Sequence, residues 1–270
     1  MTEQHETFPG KFQALLLIGL LIVIEVVLFV VVLSTGLLAD IDIEDVAGFI
    51  TVVGNGILFI GLMAYKRIGY AELFHPAKHS VAATMTLVSA PILLIVPGLA
   101  LLTGWMDSFV EQLFPMSAED AELLDSLLAP AALSILFTCV AAPVLEEMLF
   151  RGVILRAFLR QYSRRFSILW SATLFGIAHF NVYQLVTAFM AGLVTGWLYE
   201  RCRSLWPGIL LHAAYNGFVT YDYYVWSTQP EADGSMLSSI PAGVAVAAAI
   251  VGGAVLLRLL SSRPAPSPRA

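Results

Sequence analysis

The sequence places carboxylate, imidazole and amide side chains inside three separate apolar stretches, at Glu146, Glu147, His179, His212 and Asn216. A carboxylate beside a neutral imidazole in a dry cavity can hold a water molecule and remove its proton. Neighbouring His and Asn side chains can donate hydrogen bonds to the oxyanion that forms when this water attacks a carbonyl carbon. These residue types therefore predict machinery for hydrolysing an amide bond.

The two adjacent glutamates are predicted to have different roles. Residues four apart share one face of a helix, so Glu147 can pair with Arg151. Glu146 lies about 100° further round the same helix and points elsewhere. One carboxylate is therefore neutralised, and the other stays free to act as a base.

The same spacing of four recurs in the other two stretches. His212 shares a face with Asn216, and Phe175 shares a face with His179. At about 1.5 Å of rise per residue, Glu146, both histidines and Asn216 lie roughly 14 to 21 Å from the arginines that mark one membrane surface. We expect these side chains to meet in one buried cavity. The alternative is a hydrogen-bond network that only locks the helices together.

The composition determines what kind of protein positions these residues. The chain of 270 residues is 59% hydrophobic and only 13% charged, whereas soluble proteins are about 25% charged. This excludes a soluble enzyme, a nucleic-acid-binding protein and a disordered chain. The net charge of −6 provides no basic stripe for phosphates. The sequence predicts an all-α polytopic membrane bundle.

The sequence contains about eight apolar runs that are long enough to form membrane-spanning helices. Their predicted bounds are 12–36, 46–65, 81–103, 130–155, 167–181, 184–200, 205–226 and 240–260, of which the fifth is short for a full crossing. Residues 1–11 are then predicted to be a cytoplasmic N-terminus, 12–260 the transmembrane bundle, and 261–270 a disordered cytoplasmic tail.

The charges predict the orientation of this bundle. With eight crossings, all fourteen Lys and Arg residues fall in segments on one side, and acidic residues dominate the opposite loops. Basic residues favour the cytoplasmic side, so both termini are predicted to be cytoplasmic. Access to the buried site is expected from the membrane or from the basic, cytoplasmic side.

Four other residues are interpreted as structural. Glu25 and Asn55 each lie within an apolar span, where a single polar group commonly bonds across helices. Cys139 and Cys202 lie in such different surroundings that neither a disulfide nor a shared metal is expected.

The motifs around these residues resemble those of the CPBP family, the CAAX proteases and bacteriocin-processing enzymes also called the Abi family. The family patterns E-E-x-x-x-R, F-x-x-x-H and H-x-x-x-N occur here in order, beginning at Glu146, Phe175 and His212. The resemblance covers roughly residues 130 to 220 and implies an eight-helix intramembrane endopeptidase whose protease core is this part of the bundle. It implies an integral protein of the cell membrane if the source is bacterial.

The resemblance also implies roles for the motif residues. Glu146 would be the general base, His179 would help position the water, and His212 with Asn216 would form the oxyanion site. Glu147, Arg151 and Phe175 would support them. In many annotations the family is called metalloprotease, so zinc bound by Glu146, His179 and His212 is the alternative to metal-free catalysis. We favour the metal-free mechanism because the histidines come from separate helices and no carboxylate is identifiable behind them.

The predicted partners are the lipid bilayer and a membrane-embedded or lipid-tethered peptide, with no nucleic acid. The resemblance does not imply that the substrate of this chain is prenylated, because relatives with the same motifs process other peptides. The main alternative function is a non-catalytic bacteriocin-immunity or chaperone-like membrane protein of the same fold. A proton-coupled transporter that uses Glu146, His179 and His212 as a relay is the third.

Overall fold

The computed structural model describes residues 7–36, 43–118, 132–228 and 240–261. These residues form helices and short connections, with no β-strand among them. In chain order the helices are α1 (Lys11–Thr35), α2 (Ile43–Lys66), the short α3 (Tyr70–Phe74), α4 (Val81–Leu113), α5 (Leu133–Gln161), α6 (Arg164–Ile177), α7 (Val182–Cys202), α8 (Trp206–Thr228) and α9 (Ala242–Ser261).

Six of the described helices are long and apolar enough to cross a membrane, namely α1, α2, α4, α5, α7 and α9. A crossing needs about 20 residues because the hydrocarbon core is about 30 Å thick and a helix rises about 1.5 Å per residue. The predicted all-α polytopic bundle is confirmed, and the chain is an integral membrane protein. Its orientation and the assignment of its termini to the cytoplasm remain predictions.

Each of the eight predicted spans corresponds to a helix, but four differ from the prediction. The predicted span 81–103 continues as α4 to Leu113, because the less apolar residues 104–113 remain helical. The predicted span 130–155 continues as α5 to Gln161. The predicted span 167–181 is α6, whose 14 residues cover only about 21 Å. The predicted span 205–226 is α8, which is long enough but carries His212, Asn216 and several tyrosines. The tail 262–270 and residues 1–6 lie outside the described residues.

α6 ends early because the chain turns sharply after it. Phe180 adopts a left-handed backbone conformation with φ of 52°. The side chain of Asn181 then accepts hydrogen bonds from the backbone N–H groups of Tyr183 and Gln184, which caps the start of α7. This turn brings His179, at the end of α6, into the interior of the bundle.

α5 is not a uniform α-helix. Two π-helical segments, Phe137–Ala141 and Met148–Leu155, interrupt it on either side of the α-helical segment Ala142–Glu147. Pro143 lacks an N–H and cannot donate to the regular ladder, which accords with the interruption before it. Isolated π-helical turns are rare and frequently lie at functional sites. Both glutamates of the first motif lie at the end of this central α-helical segment.

The two ends of the bundle differ in charge. One end, which we call the basic end, carries Lys66, Lys11 and Arg164. Lys66 donates to the carbonyl oxygen of Phe8, and Nζ of Lys11 lies 5.0 Å from the ring centroid of Tyr162. Arg164 pairs with Glu200 at 2.6 Å. α4 starts near this end and runs to the opposite one, the acidic end, where it carries Asp107 and Glu111.

Two buried apolar clusters hold the bundle together. One joins α5 to α1, α2 and α6, and the second joins α4 to α7, α8 and α9. Large apolar side chains on the outer faces of α1 and α9 are exposed in the isolated chain, for example Val30 and Ile250. In a membrane these faces contact lipid, as expected for peripheral helices of a bundle.

Candidate active site

α5 provides a buried ion pair at the centre of the site. Nη1 of Arg151 lies 2.9 Å from Oε1 of Glu147, and each side chain is only 1% exposed. The predicted pairing along one helix face is therefore confirmed. The guanidinium carbon of Arg151 also lies 4.4 Å from the ring centroid of Phe175, so α6 covers the pair with an aromatic face.

Two glycines on neighbouring helices make room for this ion pair. A Cβ atom at Gly208 of α8 would lie 2.8 Å from Oε2 of Glu147, and one at Gly192 of α7 would lie 3.2 Å from Nη2 of Arg151. The backbones of α7 and α8 therefore pack directly against the buried charges. The sequence analysis missed both positions, because glycines are common in membrane helices and nothing in the local pattern distinguishes these two.

His212 of α8 bridges the two glutamates. Its Nδ1 lies 3.4 Å from Oε1 of Glu147, and its Nε2 lies 3.6 Å from Oε2 of Glu146. The imidazole is 8% exposed, while Glu146 is 30% exposed. Arg151, Glu147, His212 and Glu146 thus form a continuous chain of polar groups that leads from the core to the more exposed carboxylate. The contact between Glu147 and His212 was not predicted.

His179 is held by its own helix end. Its Nδ1–H donates to the carbonyl oxygen of Phe175 at 2.8 Å. This bond places the proton of a neutral ring on Nδ1 and leaves Nε2 as an acceptor. The ring is half-buried and lines the central cavity.

Asn216 lies one turn after His212 and also lines the cavity. Its Nδ2 donates to the carbonyl oxygen of Thr138 in the first π-helical segment of α5, at 2.8 Å. A side-chain amide has two N–H donors, so one donor and the carbonyl oxygen remain for other partners.

Phe175 occupies the middle of the constellation. Its ring centroid lies 5.0 Å from that of His179 and 5.6 Å from that of His212, in edge-on arrangements. The ring is fully buried and, together with Arg151, connects all three motifs. The residues predicted from the three motifs are therefore brought together, on α5, α6 and α8.

A cavity of about 830 Å³ opens beside these residues. Glu146, His179, His212 and Asn216 line it, whereas Glu147 and Arg151 do not. The remaining lining surface is mainly apolar and comes from α1, α2, α4, α5, α6, α7 and α8. The cavity extends to the exposed Ser108 and Glu111 on α4, so it reaches the acidic end of the bundle. Of the two access routes expected from the sequence, this opening differs from the one at the basic end, and the route from the membrane stays a prediction.

The zinc alternative requires Glu146, His179 and His212 to converge on one ion. Among the described residues, no three His, Cys, Asp or Glu side chains are arranged so that they could hold a metal. Nδ1 of His179 donates to a backbone carbonyl and Nδ1 of His212 faces Glu147, as in many metal-binding histidines, so each ring keeps Nε2 for another partner. The expectation that no carboxylate lies behind the histidines is therefore wrong for His212. As arranged, however, the three side chains do not converge on one point, and we derive no step through a metal.

Asn55 and Glu25, which were interpreted as packing contacts, form the expected link between helices, but Glu25 also lies near the site. Nδ2 of Asn55 lies 3.5 Å from Oε1 of Glu25 and donates to the carbonyl oxygen of Thr51 at 2.9 Å, so it links α1 and α2. Glu25 is also close enough to Glu146 to interact with it electrostatically. Cys139 contacts Thr220 of α8, with the sulfur and hydroxyl oxygen 3.9 Å apart.

Comparison with known proteins gives matches over the region that carries the site. Residues 128–218 match the family "Type II CAAX prenyl endopeptidase Rce1-like", which covers about a third of the chain and contains all three motifs. The chain is also 28% identical, over 102 residues, to the protein named "Putative membrane peptidase YdiL" of Bacillus subtilis (strain 168). That alignment covers 38% of this chain and 42% of the relative, so the chain matches less than half of the relative's length. No solved structure matches the chain. The resemblance to the CPBP family, predicted from the three motifs, is confirmed over these residues.

Proposed function

We propose that the chain is an intramembrane endopeptidase that hydrolyses a peptide bond of a membrane-embedded or lipid-tethered substrate, with Glu146 as the general base. One observation carries the proposal. Of the two adjacent carboxylates, Glu147 is neutralised by Arg151, while Glu146 has no Lys or Arg within ion-pair distance among the described residues and faces the cavity. The match to CAAX prenyl endopeptidases supports the same reaction class.

In the first step, a water molecule lies between Glu146 and Nε2 of His179. Glu146 accepts one proton from this water, and the water oxygen forms a bond to the carbonyl carbon of the substrate. The electron pair of the carbonyl double bond moves to its oxygen and forms an oxyanion. His179 accepts a hydrogen bond from the same water and fixes its direction of attack.

The oxyanion is then stabilised by donors from α8. Asn216 has one N–H free of the bond to Thr138, and His212 presents Nε2 to the same cavity. His212 can donate there when Nε2 carries a proton. In the second step, the bond between the carbonyl carbon and the amide nitrogen breaks, and the proton held by Glu146 passes to the leaving nitrogen.

Glu147 and Arg151 do not contact the substrate and instead position His212 from the buried side of the site. Glu147 is within 3.4 Å of Nδ1 of His212, so its fixed carboxylate orients the imidazole. Carboxylates that hold a functional histidine in one orientation serve the same purpose in other hydrolases. Arg151 in turn holds Glu147 in place.

The proposal is tested by the new N-termini that appear in membrane proteins of cells expressing the chain. We expect a set of N-termini present with the wild-type chain and absent with Glu146→Gln. Glu72→Gln is the matched control, because Glu72 pairs with Arg156 at the basic end, away from the cavity. Identical N-termini for wild-type and Glu146→Gln chains would instead support the non-catalytic alternative.

A further inference from the structure

The charged side chains that line the cavity are all acidic. Among the described residues these are Asp107, Glu111 and Glu146, and neither Lys nor Arg lines the cavity. Apart from the imidazole of His212 beside Glu146, the described residues therefore place no cationic side chain at these carboxylates.

Asp107 is the most strongly constrained of the three. Both of its carboxylate oxygens accept from the hydroxyl of Thr187 on α7, at 3.1 and 3.2 Å. A carboxylate has about four acceptor positions, so a single hydroxyl leaves most of them unused. Asp107 is half-buried, and no basic side chain among the described residues lies within ion-pair distance of it. Within a membrane protein such a carboxylate is costly unless a partner compensates it.

Hydrogen bonds between helices hold the rim of the cavity around Asp107 in place. Tyr183 at the start of α7 donates to the carbonyl oxygen of Phe114, at 2.5 Å, just after the end of α4. On the same side of the cavity, Thr103 of α4 and Tyr215 of α8 share a hydrogen bond of 2.8 Å. These contacts tie α4 to the two helices that carry Thr187 and the oxyanion residues, so Asp107 keeps a defined position relative to Glu146.

Most of the exposed surface that lines the cavity is apolar, and Phe29, Val52, Phe137 and Val219 are among the residues that provide it. His212, which is 8% exposed, and Asn216, which keeps one N–H beyond its bond to Thr138, line the inner part of the cavity. An occupant that satisfies both ends must have an apolar body, a peptide carbonyl for the inner residues and a positive charge for the rim.

We propose that the cavity selects an apolar peptide segment that carries a lysine or arginine, whose cationic side chain is bound by Asp107 while Glu146 acts on a peptide bond deeper in the cavity. This inference rests on the proposed function and names its substrate class. It also implies that the substrate is cleaved within its chain and not held by a terminal carboxylate, because a terminal carboxylate would face acidic side chains without a cation.

Binding and cleavage are measured separately, so that the two proposals can fail independently. The probes are fluorescent transmembrane peptides of Leu and Ala that carry a single Lys, scanned along the segment, with Gln or Glu at the same position as matched peptides. Binding is measured to Glu146→Gln protein in liposomes, which removes the proposed base but keeps the cavity. Cleavage is measured with the wild-type protein and the same peptides.

At the best position we expect the Lys peptide to bind about tenfold more tightly than the Gln peptide, and the Glu peptide to bind most weakly. Adding Asp107→Asn should reduce the preference for Lys to about twofold, and Asp107→Lys should reverse the order of the Lys and Glu peptides. Asp222→Asn is the matched control, because Asp222 lies on α8 but does not line the cavity. Thermal melts check that each variant is folded.

Equal binding of the three peptides, or a Lys preference that survives Asp107→Asn in folded protein, would overturn the substrate assignment even if all three peptides were cleaved. Failure of the Lys peptide to bind at any position would overturn it as well. Selective binding of the Lys peptide without cleavage by the wild-type protein would support selection by Asp107 and argue against the endopeptidase proposal.

Discussion

The two π-helical segments of α5 share the same unusual backbone but lie in opposite surroundings. All eight residues of Met148–Leu155 are buried, whereas no residue of Phe137–Ala141 is. The buried segment holds Arg151 within the apolar core, and the other segment lines the cavity through Phe137, Thr138 and Ala141. Glu146 and Glu147 lie between them.

This difference shows that one part of α5 has a structural role and another part lines the reaction site. Around the packed segment, apolar side chains and the backbones of α7 and α8 at their glycines enclose the ion pair. The open segment leaves space for a substrate and offers a backbone carbonyl to Asn216. Changes on the packed side should therefore act on stability first, and changes on the open side on turnover.

The largest expected effect is on the open side, for Glu146→Gln. The substitution keeps the shape of the side chain and removes its basicity, so turnover should fall by about 10²- to 10⁴-fold or more. Because Glu146 is 30% exposed and has no Lys or Arg partner among the described residues, the thermal midpoint should change little. Peptide cleavage and thermal unfolding in detergent are the measurements. A stable and fully active variant would contradict the role of Glu146.

On the packed side, Glu147→Gln should destabilise the protein by roughly 3–5 kcal/mol, because the buried guanidinium of Arg151 loses its counter-charge. The double variant Glu147→Leu with Arg151→Met removes both charges and should recover most of this stability. Activity should not return with it, because His212 has lost the carboxylate that orients its Nδ1.

The double variant distinguishes two roles of Glu147, as a counter-charge for Arg151 and as a positioning residue for His212. If it regained both stability and activity, Glu147 would be only a counter-charge for Arg151. If it regained stability alone, as we expect, Glu147 would also be a positioning residue for His212. The diagnostic readout is kcat at matched amounts of folded protein.

Asn216→Ala should lower kcat by about 10²- to 10³-fold, the usual effect of removing one oxyanion donor. A smaller loss of stability should accompany it, since the bond to the carbonyl of Thr138 disappears. Asn55→Ala is the matched control, because Asn55 is a buried amide on α2 that does not line the cavity. Equal losses of kcat in the two variants would argue against an oxyanion role for Asn216.

The smallest effect concerns the backbone of α8 behind the ion pair. At Gly208 an added Cβ would lie 2.8 Å from Oε2 of Glu147, so Gly208→Ala should cost about 1–3 kcal/mol of stability. At Gly217 of the same helix nothing lies within 4 Å of an added Cβ. Gly217→Ala should therefore be neutral or stabilising by about 0.5–1 kcal/mol, because alanine favours the helix. Thermal unfolding of the two variants separates close packing from helix propensity, and equal midpoints would argue against a tight approach at Gly208.

Much of this protein can be predicted from local patterns. Long apolar runs predict membrane helices, and the three spacings of four predict which side chains share a helix face, as the pair of Glu147 and Arg151 confirms. The short α6 was the weakest of these predictions, because its end depends on the turn at Phe180 and not on the length of the apolar run.

The sequence by itself therefore determined the helices, the membrane class and the motif residues, because these depend on periodicity and composition within one segment. Only the tertiary structure decided that His212 bridges two glutamates, that Gly208 and Gly192 make room for buried charges, and that Asp107 shares a cavity with Glu146. Each of these contacts joins helices that are distant in sequence. Their geometry depends on how helices rotate and approach one another, and the pattern of any single segment does not record that packing.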